Sequence, residues 1–119
     1  MENTCNKQSP SGVLKTYMGV AKEAPGDDAA KLLVRFSDLS PWGNLWAIDL
    51  GSPAYQSYVT LWSCQEILGI RQEQMWVMSR QETLDEATLK TAMLNAQAKT
   101  GYDTSVLFHT PQQNCTYPN

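Results

Sequence analysis

The chain has 119 residues, of which 42% are hydrophobic and 18% charged, and its formal net charge is -3 at pH 7. This length suits one domain, and the composition is that of a folded protein rather than a disordered one. Lysine and arginine are scattered singly, which excludes a cationic nucleic-acid face, and no apolar run reaches the roughly 20 residues of a membrane-spanning helix.

Five strand-like runs come before any helical pattern. They are residues 13–21, 31–36, 45–50, 58–64 and 74–80. Turn chemistry separates the first four runs at residues 25–28, 41–44 and 51–53, and a loop or widened hairpin is expected around Gly69. Leu32, Val34 and Phe36 alternate with their neighbours. Such alternation predicts a sheet with one dry and one wet side.

A helix is predicted directly after the fifth run. Thr83 and Glu86 fit a capping box, and Asp85 is also favourable near the positive end of a helix. Apolar side chains then recur at helical spacing, at Leu89, Ala92, Met93 and Ala96. Gly101 suits the position just past the helix, and residues 105–109 are expected to form a short final strand.

Several short segments are weak signals singly, but their order along the chain matches that of a known family. They are Gly19-Val20-Ala21 and residues 30–36, 45–49, 55–64, 76–80 and 84–105. Together they resemble the lipocalins, in particular the branch around apolipoprotein D, the insect bilin-binding proteins and the bacterial lipocalins. This resemblance implies a mainly β fold: a partial up-and-down antiparallel lipocalin β-barrel, a meander, with one C-terminal α-helix packed outside and a short final strand.

The resemblance is incomplete at the N-terminus. The family's first strand carries a G-x-W signature, which does not occur in this chain, and Cys5 would fall near the family's third strand. We therefore expect residues 1–119 to form a single lipocalin domain that is N-terminally truncated. Arg80 has a structural role in the family, where it covers the first-strand tryptophan. Here it would be unpaired or would use a substitute such as Trp42.

The resemblance also implies which side chains line the ligand-binding calyx. They are Tyr17, Leu32, Val34, Phe36, Leu45, Ala47, Val59, Leu61, Gln74, Trp76 and Met78. Aliphatic, aromatic and methionine side chains with few polar groups suit binding and transport of a small hydrophobic ligand, such as a retinoid, sterol, fatty acid or bilin. Alternatively, these side chains simply fill a core. No cofactor is implied beyond such a non-covalent ligand.

Three cysteines leave at least one without a partner inside the chain: Cys5, Cys64 and Cys115. They are either free or buried thiols, or they indicate an oxidising compartment. The resemblance implies that Cys64 and Cys115 each pair with a cysteine upstream, in an extracellular protein, although no signal peptide is visible. Cys5 pairs with Cys115 or stays reduced, and Asn114 begins a glycosylation sequon.

Nothing in the sequence supports catalysis or a metal site. The single histidine, His109, lies in the expected final strand, and no serine or cysteine stands in a nucleophile motif. A lipocalin-type isomerase would need an activated thiol, and the cysteines lie at strand ends or tails. The alternative to a carrier is an interaction protein, in which exposed sheet edges form a homodimer or complete the sheet with another chain.

Overall fold

The computed structural model describes residues 2–6, 14–53 and 56–113, with side chains from residue 18 onward. The elements in these ranges are β1 (Glu2–Asn6), β2 (Leu14–Met18), β3 (Val20–Glu23), β4 (Lys31–Arg35), β5 (Gly43–Asp49), β6 (Tyr58–Ile67), β7 (Ile70–Ser79), α1 (Glu86–Thr100) and a 3-10 helix (Thr104–Val106). Strands β3 to β7 form one antiparallel sheet in chain order, and β1 pairs with β2 separately. The predicted mainly β meander with one helix is confirmed, and the described sheet does not close.

The strand register sorts the side chains of β4–β7 into two faces, because opposed residues share a face and successive residues alternate. Face A carries Leu32, Val34, Gly43, Leu45, Ala47, Val59, Leu61, Ser63, Gln65, Ile67, Ile70, Gln72, Gln74, Trp76 and Met78. Face B carries Lys31, Leu33, Arg35, Asn44, Trp46, Asp49, Tyr58, Thr60, Trp62, Cys64, Glu66, Arg71, Glu73, Met75, Val77 and Ser79.

Strand β5 contains one register irregularity, a bulge between Ala47 and Asp49. Ala47 pairs with Leu61, whereas Asp49 pairs with Thr60, so β5 accommodates one extra residue. A bulge interrupts the alternation of faces. Asp49 therefore joins face B although it stands two residues after Ala47, and it accepts a hydrogen bond from the Tyr58 hydroxyl at 2.7 Å.

Helix α1 packs against face B. Ala92 and Ala96, from the stripe predicted by helical spacing, are fully buried. The helix contacts β5 and β7, and the buried side chains of face B are Tyr58, Thr60 and Met75. The core of the described region thus lies between α1 and face B. This confirms the prediction that the helix packs on the outside of the sheet.

The helix begins on Asp85 rather than on the predicted Thr83–Glu86 capping box. The Asp85 carboxylate accepts a hydrogen bond from the Thr88 backbone N–H at 2.9 Å, which satisfies a first-turn donor directly. At the other end the prediction for Gly101 is confirmed. Its φ is 72°, a left-handed value that glycine adopts without strain, and its N–H donates to the Gln97 carbonyl.

The β6–β7 connection is a two-residue turn, so the loop or widened hairpin predicted around Gly69 is wrong. Strand β6 continues to Ile67 and β7 begins at Ile70. Leu68 and Gly69 have φ values of 52° and 78°. Positive φ at both central residues gives a turn whose twist matches that of the flanking strands. The turn predicted for residues 41–44 is also shorter, because β5 begins at Gly43.

Three other predictions of elements need correction. Residues 105–109 do not form the expected final strand, because Thr104–Val106 is a 3-10 helix in which Asp103 accepts from the Ser105 N–H at 3.0 Å. Residues 2–6, which precede the first predicted run, form strand β1, in which Cys5 stands opposite Lys15. The run at residues 13–21 is divided at Gly19, where a Cβ would stand 2.8 Å from the Phe36 ring.

Candidate ligand-binding face

Face A brings together most of the residues predicted to bind ligand. By register it carries Leu32, Val34, Leu45, Ala47, Val59, Leu61, Gln74, Trp76 and Met78. Phe36 comes directly after β4, and its ring lies against Gly19. Tyr17 belongs to β2 in the separate two-stranded sheet, and its side chain lies outside the described part of the chain.

Large apolar side chains of face A are open to solvent. Trp76 is 41% exposed and Met78 51%, whereas Leu45, on β5 in the middle of the sheet, is only 8% exposed. Phe36, after β4, is 44% exposed. Helix α1 lies on face B and therefore does not cover them. Neighbouring apolar side chains that are exposed to solvent are typical of surfaces that bind a ligand or another protein.

Charge is segregated between the two faces of β4–β7. Its charged residues all lie on face B: Lys31, Arg35, Asp49, Glu66, Arg71 and Glu73. At the sheet edge, Glu23 of β3 stands opposite Leu32. Face A offers a long apolar surface without a fixed charge in these four strands, which favours an uncharged or weakly polar partner.

Face A carries a polar band just before the β6–β7 turn, followed at the turn itself by the apolar pair Ile67 and Ile70. Ser63 pairs with Gln74, and Gln65 pairs with Gln72, so four neutral polar side chains stand together. Gln65 and Gln72 are not among the residues predicted from the sequence, because the fourth run ends at Cys64, a loop or widened hairpin is expected around Gly69, and the fifth run begins at Gln74. Residues 65–66 and 71–73 are polar on both faces, so apolar–polar alternation does not mark them as strand; the tight turn at Leu68 and Gly69 extends the two strands this far.

Two features of β5 hold this polar band in place. The Asn44 amide donates to the Cys64 carbonyl at 2.7 Å and accepts from the Ser63 hydroxyl at 3.1 Å, bridging β5 and β6. Gly43 leaves room for the Gln65 amide, whose Nε2 stands 2.7 Å from where a Cβ on Gly43 would lie. A side chain at Gly43 would displace that amide.

Buried Tyr58 and half-buried Asp49 form a polar cluster that joins face B to α1. Burial acts to raise the pKa of Asp49, but hydrogen bonds from Tyr58, the Gly51 N–H and Asn95, together with the charge of Lys99, outweigh it and lower the pKa. Burial, reinforced by the hydrogen bond to Asp49, raises the pKa of Tyr58. Asn95 donates to Asp49 at 3.2 Å. The cluster is structural and faces away from the candidate site.

The predicted structural residues have different surroundings. The ring of Trp42 is contacted by the Lys22 ammonium at 4.3 Å and the Arg35 guanidinium at 4.6 Å from its centroid. Arg80 comes directly after β7 and is exposed. Cys64 is a half-buried free thiol. Cys115 and Asn114 lie outside the described residues, and the side chain of Cys5 does too.

Two open clefts lie largely outside face A, of whose residues Ala47 alone lines one of them. One, of about 530 Å³, lies between α1 and the segment after it and is lined by Glu86, Ala87, Leu89, Lys90, Met93, Leu94, Thr104 and His109. The other, of about 310 Å³, lies beside the end of α1 and is lined by Asp28, Ala30, Lys31, Trp46, Ala47, Ile48, Trp62, Lys99 and Thr100. Both have charged walls, so a hydrophobic ligand fits face A better. Within the described ranges, no cluster of His, Cys, Asp or Glu could hold a metal ion.

An antiparallel meander in chain order, with a largely apolar face opposite the helix, is the architecture of part of an up-and-down barrel, a class that includes proteins holding one small ligand. A family model described as a lipocalin-like domain matches residues 1–112. The chain therefore belongs to the lipocalin family, whose members are generally binding proteins rather than enzymes. A search of curated proteins found no match. None of the described helices is both long and apolar enough to cross a membrane.

Proposed function

We propose that this lipocalin binds and carries one small hydrophobic molecule on face A. The observation that supports this is the apolar, uncharged surface that the predicted ligand-binding residues form on β4–β7. Leu61 lies on β6, and Trp76 and Met78 lie beside it on the edge strand β7. Retinoids, sterols, fatty acids and bilins are the ligand classes to test. In the family branch that the sequence resembles, these side chains line the calyx.

The expected affinity follows from the surface that such a ligand loses to water. Burying on the order of 300 Å² of apolar ligand surface contributes roughly 7 kcal/mol. Lost translational and rotational freedom offsets part of this, so the dissociation constant falls in the micromolar range. An open face buries less of a ligand than an enclosed cavity does, so the dissociation constant should lie at the high end of this micromolar range.

Tryptophan fluorescence tests the proposal because the tryptophans are divided between the faces. Of the four tryptophans, Trp76 lies on face A, and Trp46 and Trp62 lie on face B with ring centroids 5.7 Å apart. The fourth, Trp42, precedes β5 and contacts Lys22 and Arg35, whose register places both on the side of face B. Retinol or biliverdin should quench the emission and saturate at one molecule per chain. Trp76→Phe should remove most of the quenching, and the matched control Trp62→Phe should retain it. Absence of saturable quenching in a folded chain would refute the proposal.

A second function is favoured by the edges of the sheet. Strand β7, Ile70–Ser79, borders the sheet on one side and the short strand β3, Val20–Glu23, on the other. Open edges are templates for pairing with another strand. An interaction protein that dimerises, or completes its sheet with another chain, would show a mass that rises with concentration in light scattering. A monomer at all concentrations that still binds ligand excludes this function.

Extracellular location is a further part of the proposal. It is supported by family membership, since lipocalins are often secreted. The test is to express the gene with a C-terminal tag in its own cells and to measure the tagged protein in the medium and in the cell lysate. Retention of the whole population in the cells would contradict secretion.

A further inference from the structure

We infer that face A selects uncharged amphiphiles, molecules with an apolar body and a neutral hydrogen-bonding head such as a hydroxyl or a ketone, over carboxylates of the same skeleton. This inference rests on the proposed function and deepens it by naming the class of ligand. It also predicts an orientation, with the head group towards the β6–β7 turn.

The first support is the distribution of charge across the sheet. Strands β4–β7 place every charged side chain on face B, including Glu73 and Arg71 on either side of Gln72. A carboxylate on face A would give up part of its hydration without meeting a cation from these strands. Such desolvation without a partner is unfavourable, whereas a hydroxyl loses far less.

The second support is a polar band across β6 and β7, which lies between the apolar pairs of these strands and the apolar pair Ile67 and Ile70 at the turn. Val59 and Met78 form an opposed apolar pair at one end, and Ser63 and Gln74 form an opposed polar pair nearer the turn. At about 3.3 Å per residue, Gln74 and Met78 are roughly 13 Å apart along the strand. That distance matches a small amphiphile lying along the strands with its apolar body over Leu61 and Trp76.

The third support is the chemistry and placement of the amides. A glutamine amide both donates and accepts, so it can satisfy a hydroxyl or a carbonyl, but it supplies no countercharge to a carboxylate. Gln74 and Gln72 are exposed and free to reorient towards a ligand. The Gln65 amide is already placed over β5 by the space at Gly43.

Retinol and retinoic acid share a skeleton and differ in the head group, so they form the test pair. Dissociation constants are measured by quenching of tryptophan emission at pH 7.5. Retinol should bind at least about tenfold more tightly than retinoic acid, which corresponds to about 1.4 kcal/mol. Gln74→Lys supplies a cation at the polar band and should reduce or reverse this ratio. Glu73→Gln makes the same change in net charge on face B and should leave the ratio unchanged.

The outcomes separate the inference from the proposed function. If neither retinoid binds to the wild-type chain, shown to be folded by circular dichroism, the proposed function fails. If both bind and retinoic acid binds as tightly as retinol, the carrier function stands and the selectivity inference is wrong. If Gln74→Lys does not fold, Gln72→Lys places the cation on the same face closer to the turn. An unchanged ratio in a folded lysine variant would overturn the proposed orientation.

Discussion

Replacing Thr60 by valine should make this protein more stable. Thr60 lies in β6 on face B, its side chain is fully buried, and its hydroxyl has no hydrogen-bond partner within the described ranges. A buried hydroxyl without a partner is unfavourable by about 1–3 kcal/mol. Valine has nearly the same shape and the same branched Cβ, and it suits a strand equally well. Thr60→Val should therefore raise the free energy of unfolding by about 1–2 kcal/mol.

Urea and thermal unfolding followed by circular dichroism measure this change. The urea midpoint should rise with an unchanged m-value, and Tm should rise by roughly 4 °C per kcal/mol for a domain of this size. Thr60→Ser is the control, because it keeps the hydroxyl and removes a buried methyl group, and it should lower stability by about 1 kcal/mol. A valine variant less stable than the wild type would show that the hydroxyl has a partner and that the reasoning is wrong.

Three further substitutions test other parts of the fold. Asp49→Asn should destabilise the protein at neutral pH. Because the pKa of Asp49 is lowered in the folded state, the extra stability of the wild type is fully present above the unfolded pKa and is lost as the pH falls through the folded pKa. Urea titrations from pH 7 to pH 3 would measure this difference in stability. Asp85→Ala removes the cap on Thr88 and should cost about 1 kcal/mol in urea unfolding, whereas an unchanged midpoint would contradict the capping role. Leu68→Asn should stabilise the β6–β7 hairpin by about 0.5–1 kcal/mol, because asparagine tolerates a positive φ better than leucine; a lower Tm would argue against this turn geometry.

Local patterns in the sequence predicted the features that depend on neighbouring residues. Alternation at Leu32 and Val34 gave the correct face, and helical spacing gave the buried pair Ala92 and Ala96. Gly101 was identified because a left-handed residue past a helix is a local requirement. The arrangement of face A across four strands came from the family resemblance, since periodicity alone does not say which side of a strand such as β6 is enclosed.

The failures all involve information that local patterns do not contain. The final strand was expected from residues 105–109, but a strand also needs a neighbour with free backbone groups at the right place. The β6–β7 turn was missed because Leu68 adopts a left-handed conformation that its type does not suggest. Thr83 and Asp85 are both suitable N-cap residues by type, so the sequence does not decide between them. The structure shows that Asp85 accepts the hydrogen bond from the Thr88 N–H.

The bulge in β5 determines where one negative charge goes. If β5 kept all its residues but had no bulge, strict alternation would direct the Asp49 carboxylate to the same side as Ala47, among the side chains proposed to meet the ligand. A regular β5 of the same length would therefore have two effects at once. It would leave the Tyr58 phenol without its acceptor inside the protein, and it would repel any acidic guest from the apolar wall. The bulge thus allows one strand to place a carboxylate acceptor for Tyr58 on face B and to leave its part of face A uncharged.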